Sequence, residues 1–204
     1  MSHDMSPVID IFFHVQGQHV PVDHGYALYG AISRMLEKQT AWLHAADNVG
    51  LHPLRGRYDG AGKLLLGERA RFGLRLPASV IPAVLPLAGK RLDLNGDTLR
   101  VGTTTTAALV PSVALYAHVV TTKHGDDEAR FDAEIQRQLD GLDIKGKPQR
   151  GPRRIVAIKD KKVVGHSLLV SELTAEESIR LQEQGLGGRR KMGCGVFVPH
   201  KEQA

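Results

Sequence analysis

Residues 153–186 read RRIVAIKDKKVVGHSLLVSELTAEESIRLQEQGL. Two apolar-rich runs flank the polar KDKK, the pattern of a two-stranded hairpin. TAEESIRLQEQGL then reads as a helix, with Thr174 and Glu177 placed as a capping box. Working outward, SVALYAHVVTT (112–122) is a strand, EARFDAEIQRQLDGL (128–142) a helix and GCGVFVP (193–199) a closing strand. The order is β-α-β-β-α-β, the ferredoxin-like unit. The first half repeats it. PVIDIFFHVQG (7–17) is a strand, and HGYALYGAISRML (24–36) sets Leu28, Ile32, Met35 and Leu36 at helical spacing, with Asp23 placed to cap and a continuation through AWLHAA toward Asn48 and Gly50. Strand-like stretches follow across 48–77, broken at YDGAG, then a short proline-studded helix (78–89) and a hairpin with an Asn-Gly turn (90–102). The expectation is an α+β fold of two tandem ferredoxin-like domains, 1–108 and 109–204, with the boundary near TTTTAALVPS.

The composition narrows the function classes. At 204 residues there is ample length for a core, and 42% hydrophobic and 24% charged residues are ordinary for a globular protein. No apolar run approaches the ~18 residues of a membrane span, and MSHDMSPVID lacks the basic and apolar regions of a signal peptide. The one cysteine, Cys194, excludes a disulfide framework and a cysteine-rich zinc site, and fits a reducing cytoplasm. A net charge of +5 favours a polyanionic partner. From Lys145 to Lys162 eight Lys or Arg stand against the single acid Asp160, directly after a run, Asp126 to Asp143, that holds seven acids.

GLGGRRKMGCGVFVP (185–199) sets five glycines around Arg189, Arg190 and Lys191. It is not a Walker loop, since Gly193 is followed by Cys194 and Gly195, and not a dinucleotide fingerprint, since the sixth position from Gly185 is Arg190. Both motifs also need a following helix, whereas VFVP reads as a strand. A plain turn accounts for the glycines but not for three adjacent cations. Together with the 145–162 segment they suggest a phosphate-tracking surface. At 5% aromatic residues, and without the sheet-aromatic pattern on which bases stack, RNA would be met through phosphates and hairpin shape.

These features resemble the CRISPR-associated endoribonucleases of the RAMP superfamily that process precursor CRISPR RNA. The glycine loop looks like that family's C-terminal G-rich, basic, G-x-G-apolar loop. DHGYALYGAISRMLEKQTAWLHAADNVGLHPLRG (23–56) is similar to its first helix, with a Leu-His pair near the helix end. The resemblance implies metal-independent cleavage of CRISPR repeat RNA, in which a ribose 2′-OH attacks the neighbouring phosphate to leave a 2′,3′-cyclic phosphate and a 5′-OH. It implies no cofactor and no membrane, with CRISPR repeat RNA as partner and other subunits of an effector complex as further candidates.

On that resemblance His44 stands where the family's catalytic histidine stands, and suits a general acid near the negative end of its helix. His24, at the positive end, suits a base or a structural hydrogen bond. Tyr29 is the tyrosine candidate on the same helix, with Tyr26 and Ser33 near it and a core role open to both tyrosines. Some relatives place a third catalytic group, a lysine, just past the histidine; here there is none, and Arg55 or Arg57 can supply the charge. His52 lies beside them and can touch RNA. Arg55, Arg57, Arg150, Arg153, Arg154, Arg189, Arg190 and Lys191 are the expected RNA contacts, and no metal ligands are expected. The competing readings are a non-catalytic RNA-binding RAMP subunit and a metabolite-binding regulator, the latter leaving both basic segments unexplained.

Overall fold

The computed structural model describes residues 6–36, 43 and 49–200. The chain divides into two units, Met1–Ala108 and Leu109–Ala204. In the first, the elements run β1 (Val8–Gln16), β2 (His19–Pro21), α1 (Gly25–Met35), β3 (Gly50–His52), β4 (Arg57–Tyr58), β5 (Lys63–Leu65), β6 (Arg71–Pro77), α2 (Ile81–Val84), β7 (Arg91–Leu94) and β8 (Asp97–Ala108). One antiparallel sheet has the order β3-β6-β1-β8-β7, the ferredoxin-like order with β7 added at an edge. Alternation along β1 sends Ile11, Phe13 and Val15 into the core with Leu28 and Ile32 of α1, and leaves Asp10 and Phe12 on the opposite face.

Three features of this unit depart from the sequence expectation. Asp23 does not hold the cap position of α1; His24 does, and its ring is turned inward to backbone groups instead of capping. Met35 is 38% exposed, while Leu36 takes the buried place. A small sheet, β2-β5-β4, is added beyond the repeated plan. The segment 78–89 is broken into helical turns as its prolines dictate, and Asn95 and Gly96 make the β7–β8 turn with positive φ (57° and 97°). The four threonines at 103–106 continue β8, which pairs with β1 as far as Ile9↔Ala108.

The second unit runs β9 (Leu115–Val120), α3 (Glu128–Gly141), β10 (Lys147–Ile158), β11 (Lys161–Ser171), α4 (Ala175–Gln184) and β12 (Val198–Pro199). The sheet order β10-β11-β9-β12 is the ferredoxin-like 2-3-1-4. Leu115, Ala117, Leu168 and Val170 of the sheet pack with Phe131, Ile135 and Leu139 of α3 and Leu181 of α4. The closing strand is shorter than its sequence suggests, because only two of its residues pair with β9.

The capping box is present: the Thr174 hydroxyl accepts from the Glu177 N–H, and the Glu177 carboxylate accepts from the Thr174 N–H. Such a cap contributes about 1 kcal/mol. Thr174→Ala should therefore lower the thermal midpoint by roughly 2–4 °C for a chain of this size, read by differential scanning calorimetry.

Candidate nucleic-acid interface

The C-terminal glycine loop begins where α4 ends. Gly185, Gly187, Gly193 and Gly195 all have positive φ, between 63° and 89°. Three of them also have no room for a side chain. A Cβ on Gly185 would collide with the Gly195 oxygen, one on Gly187 with the Thr121 oxygen, and one on Gly195 with the Leu186 oxygen. The loop is pinned to the sheet: Gly195 N–H donates to Val119 (2.7 Å), Gly188 N–H to Thr121 (3.0 Å), and Gly187 N–H to the Gln138 side chain (2.7 Å).

The three cations are then placed unequally. Arg189 is exposed, adopts a left-handed backbone (φ 65°), and sends one guanidinium N–H to Thr121 Oγ1 at 3.4 Å. Lys191 is half-buried. Arg190 is only 7% exposed; it packs beneath Gly185 and donates to the Gln182 carbonyl in the last turn of α4. A cation suits that helix end. The expectation that all three face a phosphate therefore fits Arg189 best and Arg190 least.

The 145–162 segment forms β10 and the start of β11. Arg150 is opposite Leu168 and Arg153 opposite His166, so both lie on the face that carries α3. There they meet the acidic run. Arg150 pairs with Asp132 and Glu128, both at 2.9 Å, and Arg153 with Asp126 at 2.9 Å. A phosphate at either would compete with a carboxylate already in place. Arg154 is opposite Gly165, on the other face, and its enclosed Nε has no hydrogen-bond partner among the described residues.

In the first unit, His24 is 3% exposed. Its Nδ1 is 2.9 Å from the Pro21 carbonyl, and its Nε2 accepts the Leu54 N–H at 2.9 Å, which fixes the neutral ring with its proton on Nδ1. Burial pushes its pKa below the ordinary 6.5, opposed only in part by the Pro21 bond and Asp23. The ring thus anchors the start of the PLRGR stretch, from which Arg55 and Arg57 stand exposed. Tyr29 packs against the core. His44 lies outside the described residues. His52, at the end of β3, reaches Asp10 on β1, whose carboxylate also takes two bonds from Arg75 on β6.

The Cas6 family model (Cas6 Crispr) matches residues 9–202, nearly the whole chain. The chain belongs to the Cas6 family. A curated Cas6 relative from Myxococcus xanthus (strain DK1622), named CRISPR-associated endonuclease Cas6, is 44% identical over 191 residues, 94% of this chain and 81% of the relative. A solved structure described as CRISPR associated protein Cas6 shares the fold with a TM-score of 0.71 at 13% identity, over 95% of this chain and 100% of the other. Another, described as Thermus thermophilus Cse3 bound to an RNA representing a pre-cleavage complex, gives 0.53 at 12% identity, over 94% and 98%.

Asp10 and Arg75 are the residues of this Cas6-family chain that the sequence alone does not single out. They are 65 positions apart, and only strand pairing brings them together. A signal existed: each is a charge set into an apolar strand, in VIDIFFHV and RFGLRLP, at a position alternating with core residues. Among the described residues no group of three or more His, Cys, Asp or Glu is arranged to hold a metal ion, and no helix is long and apolar enough to cross a membrane.

Replacing His24 with Ala leaves the Leu54 N–H and Pro21 carbonyl without their partner, at about 1–3 kcal/mol for each enclosed group. The lowered pKa also gives a sign. Between the folded-state pKa of His24 and its ordinary 6.5 the unfolded chain binds the extra proton, so stability is full above 6.5 and falls as pH drops below it. Urea unfolding as a function of pH should show that loss in the parent protein and a shallower one in His24→Ala.

Proposed function

We propose that this protein is a metal-independent endoribonuclease that binds CRISPR repeat RNA and cleaves it to mature crRNA. The ribose 2′-OH upstream of the cut attacks the phosphate, the P–O5′ bond breaks, and the products carry a 2′,3′-cyclic phosphate and a 5′-OH. The observation that carries this reading is the pinned glycine loop with Arg189 exposed at its turn. It occurs in a chain whose 44%-identical relative is named an endonuclease. The RNA-bound Thermus neighbour shares the fold and supports RNA as the polyanion.

Roles follow from placement. Arg189 and Lys191 take phosphates at the loop, and Arg154 takes one on the β10 face not shared with α3. Arg55 and Arg57 supply charge beside the cut. His44 is the proposed general acid for the leaving 5′-oxygen. His24, with both nitrogens engaged, positions the 52–57 stretch, and Tyr29 packs α1 in place. Arg150 and Arg153 contribute where RNA displaces their carboxylate partners. A second reading, a non-catalytic RNA-binding subunit that assembles with other subunits of an effector complex, draws on the enclosure of His24; an assay showing cleavage of a repeat RNA would decide against it.

Metal independence draws on the lack of a ligand cluster among the described residues. Gel assays with the repeat RNA of the source genome should therefore show full cleavage in excess EDTA. A 2′-deoxy substitution upstream of the cut should abolish cleavage and spare binding. A strict magnesium requirement would sink the mechanism.

Removing one cation that neutralises a phosphate should reduce the log-log salt slope of binding by ~1. Filter-binding titrations should thus give weaker, less salt-sensitive binding for Arg189→Ala, with a further step for the Arg189→Ala/Lys191→Ala double variant. An unchanged slope would make the loop a turn only.

A further inference from the structure

Cleavage by a 2′-OH needs an acceptor for its proton, and the enclosure of His24 leaves that role open. Resting on the function proposed above, we propose that His52 is the general base, with Asp10 and Arg75 as its positioning residues.

The geometry is that of an oriented imidazole. His52 Nε2 lies 2.9 Å from Asp10 Oδ1. Burial alone would push the Asp10 carboxyl up, but the hydrogen bonds from His52 and Arg75 outweigh it and hold it well below the usual carboxylate range. An ionised carboxylate only accepts, so the His52 Nε2–H donates to it. In the neutral ring the lone pair then sits on Nδ1, which makes no hydrogen bond among the described residues. Asp10 is itself held by Arg75, whose Nε and Nη2 reach its two oxygens at 2.8 and 3.0 Å. A third group orienting the base is the arrangement that activates a hydroxyl nucleophile.

The surroundings suit a nucleotide. His52 lies on the sheet face that carries Phe12, 5.6 Å between ring centroids, and Arg71 lies 4.2 Å above the Phe12 ring. Gly73 separates them in register with both His52 and Phe12. A Cβ there would stand 2.7 Å from Phe12 and 3.0 Å from His52, so the glycine is what lets the two rings approach. The side chain of His52 keeps 14% of its surface exposed. Burial lowers its pKa, Asp10 opposes, and Arg75 and Arg55 lower it further, which favours the neutral, proton-accepting ring near neutral pH. Among the described residues the charged groups facing it are Asp10 from β1, Arg75 from β6 and Arg55 beyond β3.

The step balances. Nδ1 takes the 2′-OH proton as the 2′-oxygen bonds to phosphorus, the P–O5′ bond breaks, and the 5′-oxygen takes a proton from the acid. The His52 imidazolium, facing Asp10, then returns its proton to water, and the acid is recharged from water.

Single-turnover cleavage of the repeat RNA at saturating enzyme tests this between about pH 5 and about pH 8.5. His52→Gln keeps an amide N–H for Asp10 but has no proton-accepting nitrogen. It should lower the rate by about 10²–10⁴-fold and remove the acid limb of the profile, while RNA affinity and thermal midpoint stay at parental values. Sulfur in place of the scissile 5′-oxygen removes the need for an acid, so the His52→Gln deficit should persist on that substrate. Rescue there would make His52 the acid and overturn the assignment, as would a parental rate and profile. If the parental protein fails to cleave any repeat RNA, the proposed function itself has failed, and this inference with it.

Discussion

Asp10 and Arg75 form an ion pair in the middle of the first unit's sheet, 8% and 1% exposed. Two charges withdrawn from water are tolerated only when each is fully met, and here the guanidinium grips both carboxylate oxygens. Removing either partner would strand the other, at about 3–5 kcal/mol. The pair joins β1 to β6, and the spare capacity of Asp10 is given to His52 on β3. Three neighbouring strands are thus tied together, Asp10 and Arg75 directly opposite each other and His52 reaching Asp10 from two residues along, on the face that the apolar core does not use. The ionised state of Asp10 and the tautomer of His52 both depend on this one contact.

Much of the fold was legible in the sequence because it is written in local signals. The Thr174/Glu177 box, the Asn95-Gly96 turn and the 2-versus-3.6 periodicity each act within a few residues. What escaped were outcomes decided by distant partners. The sheet β2-β5-β4 unites strands of two or three residues, too short to carry a period. Asp23 has the chemistry of a cap, but the inward turn of His24 toward Leu54, 30 positions away, set the start of α1. The site divides in the same way. Arg189, Arg55 and Arg57 stand exposed as their local setting suggests, while Arg190 follows a helix end and Arg150 follows α3.

The glycine loop shows how close packing and backbone conformation act together. Positive φ alone would disfavour other residues by strain, and space alone would disfavour them by contact. Gly185, Gly187 and Gly195 meet both conditions, against backbone oxygens that cannot swing aside. The loop is therefore set by the path of the main chain, and Arg189 inherits a fixed position from it. Little ordering entropy remains to be lost at its backbone when a ligand arrives.

The pairing of α3 acids with β10 arginines has a consequence for how this surface meets any polyanion. Arg150 and Arg153 carry their own counterions, covalently part of the chain, so a ligand that captures them displaces aspartate and glutamate as well as dissolved salt. A displaced carboxylate stays tethered nearby and competes to return. A partner that brings several phosphates at once would displace these carboxylates more readily than a single passing anion would. Under the proposed function, selectivity for an extended, densely charged ligand would be built from acids as much as from bases.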